Sequence, residues 1–285
     1  GPKRPVNTAN SIQISGHSLS EHAPLKGELA ISRINRFHFM YTSRLEVPAM
    51  SHRWRMNDME LRPLCLFRTD MDIAQNIPPR SRSIVDLRKG TEIAIIDDEP
   101  FAAEVNLRNH GYNIKQIGDI KNINEVSPYR IVLCDLMGVG KHFDVNKQGA
   151  TLIREIKNQF PSIFVVAYTG NALNSTISRS AKEYSDKILR KDANISEWSE
   201  VLDGLINEST DPTIIWRRMK SALINRGIDV KSLLVLEDKF VRDILHKDSA
   251  GSSYMRAIQN PRLSSDLRAI AQSLVASAIF KLLVG

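Results

Sequence analysis

The stretch Thr91-Glu-Ile-Ala-Ile-Ile-Asp-Asp-Glu-Pro100 decides the fold. Four consecutive apolar residues, Ile93 to Ile96, end abruptly in two carboxylates and then a proline. A short unbroken apolar run bounded by such signals reads as a strand buried on both faces, as in a parallel sheet. Pro100 opens a helix, since its missing N–H falls where a helix start has no partner to lose.

The same unit recurs downstream. Asn113–Ile117, Arg130–Cys134, Ile163–Tyr168 and Lys187–Arg190 read as strands. Between them, Ile120–Val126, Ala150–Gln159, Leu173–Tyr184 and Ile195–Asn207 carry helical spacing, punctuated by Gly111, Pro128 and Pro161. Five strands alternating with five helices predict an α/β fold, a (βα)5 doubly wound parallel sheet, over residues 91–209. In such a sheet the carboxyl ends of the strands share one edge, where ligands bind. Asp97, Asp98, Asp135, Thr169 and Lys191 all stand at those ends. Three carboxylates, a hydroxyl and an ammonium are therefore expected at one site.

That ordered set resembles the receiver domain of two-component response regulators, which is flavodoxin-like in fold. The elements carrying the resemblance are Asp97-Asp98, the strand-end Asp135 in Leu-Cys-Asp-Leu-Met, the Thr169-Gly170 step and Lys191, about two-fifths of the chain. It implies that Asp135 is the phosphoacceptor, with Thr169 and Lys191 holding phosphoryl oxygens. It further implies Mg²⁺ bound by Asp98, Asp135 and the Met137 carbonyl, with Asp97 acting through a metal-bound water. A carboxylate nucleophile gives an acyl phosphate, so any catalysis is at most self-catalysed phosphotransfer to Asp135 and hydrolysis from it. The implied partner is a histidine kinase or phosphotransfer protein.

Three departures stand beside the resemblance. Ile188 occupies the position, three before the lysine, where receivers carry an aromatic. Asp192 follows the lysine where they carry proline, which removes the usual reason for a cis peptide and sets a competing carboxylate beside Lys191. The segment after Asp135 reaches its glycine late and carries Lys141, His142 and Lys147.

Residues 1–24 read as a disordered tail beginning with Gly1-Pro2, the scar of a cleaved tag. Residues 25–90 read as a small β-containing segment, with strands around 37–47 and 59–66, then a linker or irregular crossing over 74–90. Residues 210–285 read as a helical extension, with helices over Ile214–Asn225, Val230–His246 and Leu263–Leu283. Net charge is +6 over 1–90, −4 over 91–209 and +5 over 210–285. Basic flanks admit nucleic acid, anionic lipid or an acidic protein face. Arg217, Arg218, Lys220 and Arg226 share one helix, but the apolar run Leu233–Leu236 that follows does not suit a recognition helix, so no DNA-reading motif is present. The C-terminal helices are candidates for a homodimer contact.

No apolar run reaches the roughly 20 residues of a membrane span, and no secretory leader is read. Cys65 and Cys134 lie far apart, Cys134 within a buried strand, which fits a reducing cytoplasm. Trp54, Trp198 and Trp216 read as core or interface. Three functions follow as expectations: a phosphorylated regulator acting through protein contacts, a degenerate receiver serving as scaffold in a bacterial signalling or defence complex, and a phosphorylation-gated nucleic-acid binder.

Overall fold

The computed structural model describes residues 1, 68–76, 82–277, 280 and 283. All but Gly1 lie in one compact unit spanning 44–285. The tail expected at 1–24 and the strands expected around 37–47 and 59–66 lie outside the described residues.

Five parallel strands form the sheet: β1 (Glu92–Ile96), β2 (Asn113–Gln116), β3 (Ile131–Asp135), β4 (Phe164–Thr169) and β5 (Lys187–Arg190), in the order β2-β1-β3-β4-β5. The apolar runs occupy the centre: every residue of β3 and β4 is buried. Strand order reverses at β1, so the crevice for a ligand opens between the carboxyl ends of β1 and β3. The architecture is the flavodoxin-like α/β sheet expected from the sequence.

Among the described residues, the helices before the sheet are α1 (Asp70–Asn76) and α2 (Ile84–Gly90). Residues 84–90, expected as linker, are a helix capped by Ser83, whose hydroxyl oxygen accepts from the Asp86 N–H. Arg88 then fixes α2 to the sheet domain through a two-pronged ion pair with Asp203, at 2.8 and 2.6 Å. Tyr112 joins them, its hydroxyl 2.8 Å from Asp203.

The connections within the sheet domain are α3 (Glu104–Asn109), α4 (Gly149–Gln159), α5 (Thr176–Lys182) and α6 (Ile195–Ser209). The helix expected over Ile120–Val126 is a single 3₁₀ turn, Ile123–Val126, started by an Asn122 capping box and closed by Pro128. The helix expected from Pro100 begins four residues later, after a turn.

Among the described residues, the helices that follow are α7 (Pro212–Asn225), α8 (Val230–Leu245), α9 (Ser252–Ile258) and α10 (Ser265–Ala276). Asp211 caps α7 and Pro212 fills its first turn. Trp216 stacks on Phe240 at 4.9 Å, with Tyr254 and Phe280 edge-on, forming an apolar centre separate from the sheet. α1 packs on α7 and α8. The separate helix α9 had no clear sequence signal, because the loop residues Ser249–Ser253 run directly into it.

Arg218 of α7 joins the two cores. Its guanidinium lies 4.0 Å over the Phe164 ring, pairs with Asp186 at 2.7 Å, and donates to the carbonyls of Pro161 and Ile163. Lys157 of α4 reaches the same carboxylate at 3.0 Å. No helix among the described residues is long and apolar enough to cross a membrane.

Candidate functional site

Strand register builds the site. Ile96 pairs with Cys134, and Asp135 pairs with Tyr168. Asp97 therefore emerges beside Asp135, and both lie on the sheet face that carries the Tyr168 side chain. The Lys191 N–H donates to the Thr169 carbonyl, 2.8 Å away, which brings the end of β5 alongside. The Lys191 ammonium then stands between two carboxylates, 2.9 Å from Asp135 Oδ2 and 3.0 Å from Asp97 Oδ2.

The pocket is nearly dry at its base. Asp97 is 1% exposed and Asp135 5%. Burial raises the Asp135 pKa above the ordinary carboxylate value, against the lowering by the Lys191 ammonium and the Met137 N–H, which donates to Oδ1 at 3.2 Å. For Lys191 burial acts to lower the pKa, but its contacts with Asp135 and Asp97 prevail and raise it. Burial and the neighbouring Asp135 also raise the Cys134 pKa, so this thiol is a protonated core group; it is a free cysteine.

Asp98 stands at the rim. It is exposed, and its carboxylate has no hydrogen bond or ion pair among the described residues. It lies so close to Gly138 that a Cβ there would collide with it. Gly138 has φ +86°, in the left-handed region. Thr169 is 1% exposed. Its hydroxyl oxygen accepts from the Asn171 N–H and makes no bond to Asp135. It lines a cleft of about 280 Å³ with Leu136, Met137, Asn171, Ser175 and Ser178.

The structure thus joins Asp97, Asp135 and Lys191 directly, and leaves Asp98 and Thr169 at the margins. Among the described residues, no group of three or more His, Cys, Asp or Glu side chains is arranged to hold a metal ion. Mg²⁺ does not require one: it takes one or two carboxylates and keeps several waters. The exposed Asp98 carboxylate against Gly138, with no partner among the described residues, and the Asp135 carboxylate three residues before Gly138 are two carboxylates of the kind that donor set needs.

The long segment after Asp135 is held by its own bonds. The Gly138 N–H donates to Gln148 Oε1 at 2.8 Å, and the Gly140 N–H to Asp119 Oδ1 at 2.8 Å. Asp144 accepts from the N–H groups of Asn146 and Lys147. Gly149 closes the segment, because a Cβ there would strike the Asp135 carbonyl. Lys141, His142 and Lys147 are exposed. The carboxylate of Asp192 is occupied by Arg190, in a 2.7 Å pair.

One residue of the site had no sequence signal. The Tyr168 hydroxyl donates to Asp97 Oδ2 at 2.7 Å, with no exposed surface. Its ring packs against Phe101 at 5.0 Å and Trp198 of α6 at 5.8 Å. A tyrosine in an apolar run reads as core; only the β3–β4 register aims its hydroxyl at Asp97.

No family model matches the chain, and no curated protein matches it. The solved structures that resemble it include response regulators. RcsB from Salmonella enterica serovar Typhimurium, bound to promoter rprA in the presence of the phosphomimetic BeF3-, is 22% identical over 40% of this chain and 98% of its own, with a TM-score of 0.33. A response regulator from Burkholderia pseudomallei, with a phosphorylated aspartic acid, calcium ion and citrate, is 18% identical over 49% and 99%, with a TM-score of 0.31. A putative pilus assembly-related protein from Burkholderia pseudomallei is 12% identical over 42% and 91%, with a TM-score of 0.35.

Proposed function

We propose that this chain is a response-regulator-like signalling protein that accepts a phosphoryl group on Asp135 from a histidine kinase or phosphotransfer partner. The observation that carries this reading is the Asp135 carboxylate held at the base of a buried pocket by Lys191, with an exposed carboxylate, Asp98, that has no partner among the described residues at the rim. Phosphoryl transfer asks for position and charge neutralisation more than for covalent help.

An Asp135 oxygen attacks the donor's phosphorus, the bond to the donor's leaving atom breaks, and the leaving group departs with its electron pair. Lys191, already charged and in place, neutralises one phosphoryl oxygen. Thr169, from the wall of the adjoining cleft, is the hydroxyl available to another. Mg²⁺ held by Asp98, Asp135 and the Met137 carbonyl would supply further neutralisation of phosphoryl charge. Asp192 pairs with Arg190 and so does not compete with the incoming group for Lys191.

Output runs through protein contacts of the flanking segments. RcsB is described bound to promoter DNA; in this chain two cations of α7 are committed internally, Arg218 to Asp186 and Lys220 to Glu237 in a buried pair at 3.0 Å, while Arg217, paired with Asp70, and Arg226, just past the helix, stay exposed. The test is incubation with acetyl phosphate and Mg²⁺ followed by intact-mass measurement. One added phosphoryl group, absent from Asp135→Asn, supports the reading; an unchanged wild-type mass overturns it.

A further inference from the structure

We propose that Tyr168 is a positioning residue of the phosphoacceptor pocket: its hydroxyl holds Asp97 away from the bound divalent cation, leaving Asp98 and Asp135 to ligate it. The inference rests on the phosphoacceptor reading and concerns a residue which that reading does not use.

Asp97 Oδ1 accepts from the Glu99 N–H at 3.0 Å. Oδ2 accepts from the Tyr168 hydroxyl at 2.7 Å and faces the Lys191 ammonium at 3.0 Å. Three donors therefore engage this carboxylate, and none comes from solvent: Asp97 is 1% exposed. Both lone pairs of Oδ2 are taken, so to reach a metal through that oxygen Asp97 would have to abandon a buried hydroxyl and leave it unpaired, which is unfavourable in so dry a place. Asp98 has none of these partners and is exposed. The two adjacent acids thus divide the work, Asp97 fixing Lys191 and Asp98 facing the cation. The Tyr168 ring cannot swing away easily, because Phe101 and Trp198 flank it and all three are buried.

The test is calorimetric titration of the full chain with Mg²⁺ alone, without phosphodonor. Tyr168→Phe frees a lone pair on Asp97, and the account expects Mg²⁺ to bind about three- to tenfold tighter, the equivalent of one ordinary hydrogen bond. An unchanged or weaker affinity in a folded Tyr168→Phe variant overturns the inference, because a purely structural hydroxyl lowers the melting temperature and leaves the metal alone. A second comparison needs no change at Tyr168: Asp98→Asn must weaken Mg²⁺ binding more than Asp97→Asn, and the reverse order overturns the inference. Wild-type chain that takes up no Mg²⁺ at all removes the phosphoacceptor reading and this inference together, so the two failures are distinct.

Discussion

Lys191 Nζ lies 2.9 Å from Asp135 Oδ2 at the base of a pocket where Asp135 is 5% exposed. The cation is already in place before any phosphoryl group arrives. A preorganised donor aimed at developing charge is worth about 100-fold in rate. Lys191→Met should therefore slow phosphoryl uptake from acetyl phosphate by about that factor, measured by time-resolved intact mass. A rate within twofold of wild type (about 0.4 kcal/mol) assigns Lys191 to structure alone.

Gly138 has both a positive φ and the Asp98 carboxylate against its Cα. Gly138→Ala places a methyl where that carboxylate stands and strains the backbone. The expected loss is about 1–3 kcal/mol in urea denaturation, together with weaker Mg²⁺ binding as Asp98 is displaced. Stability equal to wild type would show that the segment after Asp135 relaxes freely.

Asp186 is shared by Lys157, Arg218 and the Val165 N–H. Removing one partner of a buried pair leaves the others uncompensated. Asp186→Ala should cost about 3 kcal/mol and loosen α7 from the sheet. Hydrogen exchange provides the measurement: protection should fall in α7 and around Phe164 more than in β1 and β3. A uniform change across the unit contradicts a local latch.

The same cluster sets a pH dependence. Burial, with Arg218 close by, pushes Lys157 down to about 8. In the unfolded chain it titrates near its ordinary value of about 10.4. Between those values the unfolded chain holds a proton that the folded one lacks, so stability gains from this group as pH rises, by up to about 1.4 kcal/mol per pH unit. Wild type should therefore become more stable relative to Lys157→Met from about pH 8 to pH 10. A difference that is flat or shrinks across that range contradicts the assignment.

The sheet was legible because each strand is an apolar run ending in a chemically distinct residue, and parallel strands deliver those ends to one edge. Asp97, Asp135 and Lys191 are in contact for that reason. The helix at 84–90 was missed because Arg80-Ser-Arg-Ser83 looks irregular, although Ser83 is a helix cap. Asp192 looked like a competitor for the lysine because sequence distance says nothing of side-chain direction; Arg190, two residues away on the same side of the strand end, takes it. Tyr168 could not be read as part of the site at all, since its contact with Asp97 depends on the register of β4 against β3, which no local pattern encodes. The Arg218 latch was equally hidden: an arginine on a basic helix reads as surface until Phe164 and Asp186 are found beneath it.

The central claim is that Asp135, and no other carboxylate of the pocket, carries the phosphoryl group. The direct measurement is borohydride reduction of the chain after treatment with acetyl phosphate and Mg²⁺, which converts an aspartyl phosphate to homoserine, followed by peptide mapping. The account predicts homoserine at position 135. Homoserine at 97 or 98 with none at 135, or none at any of the three, contradicts it.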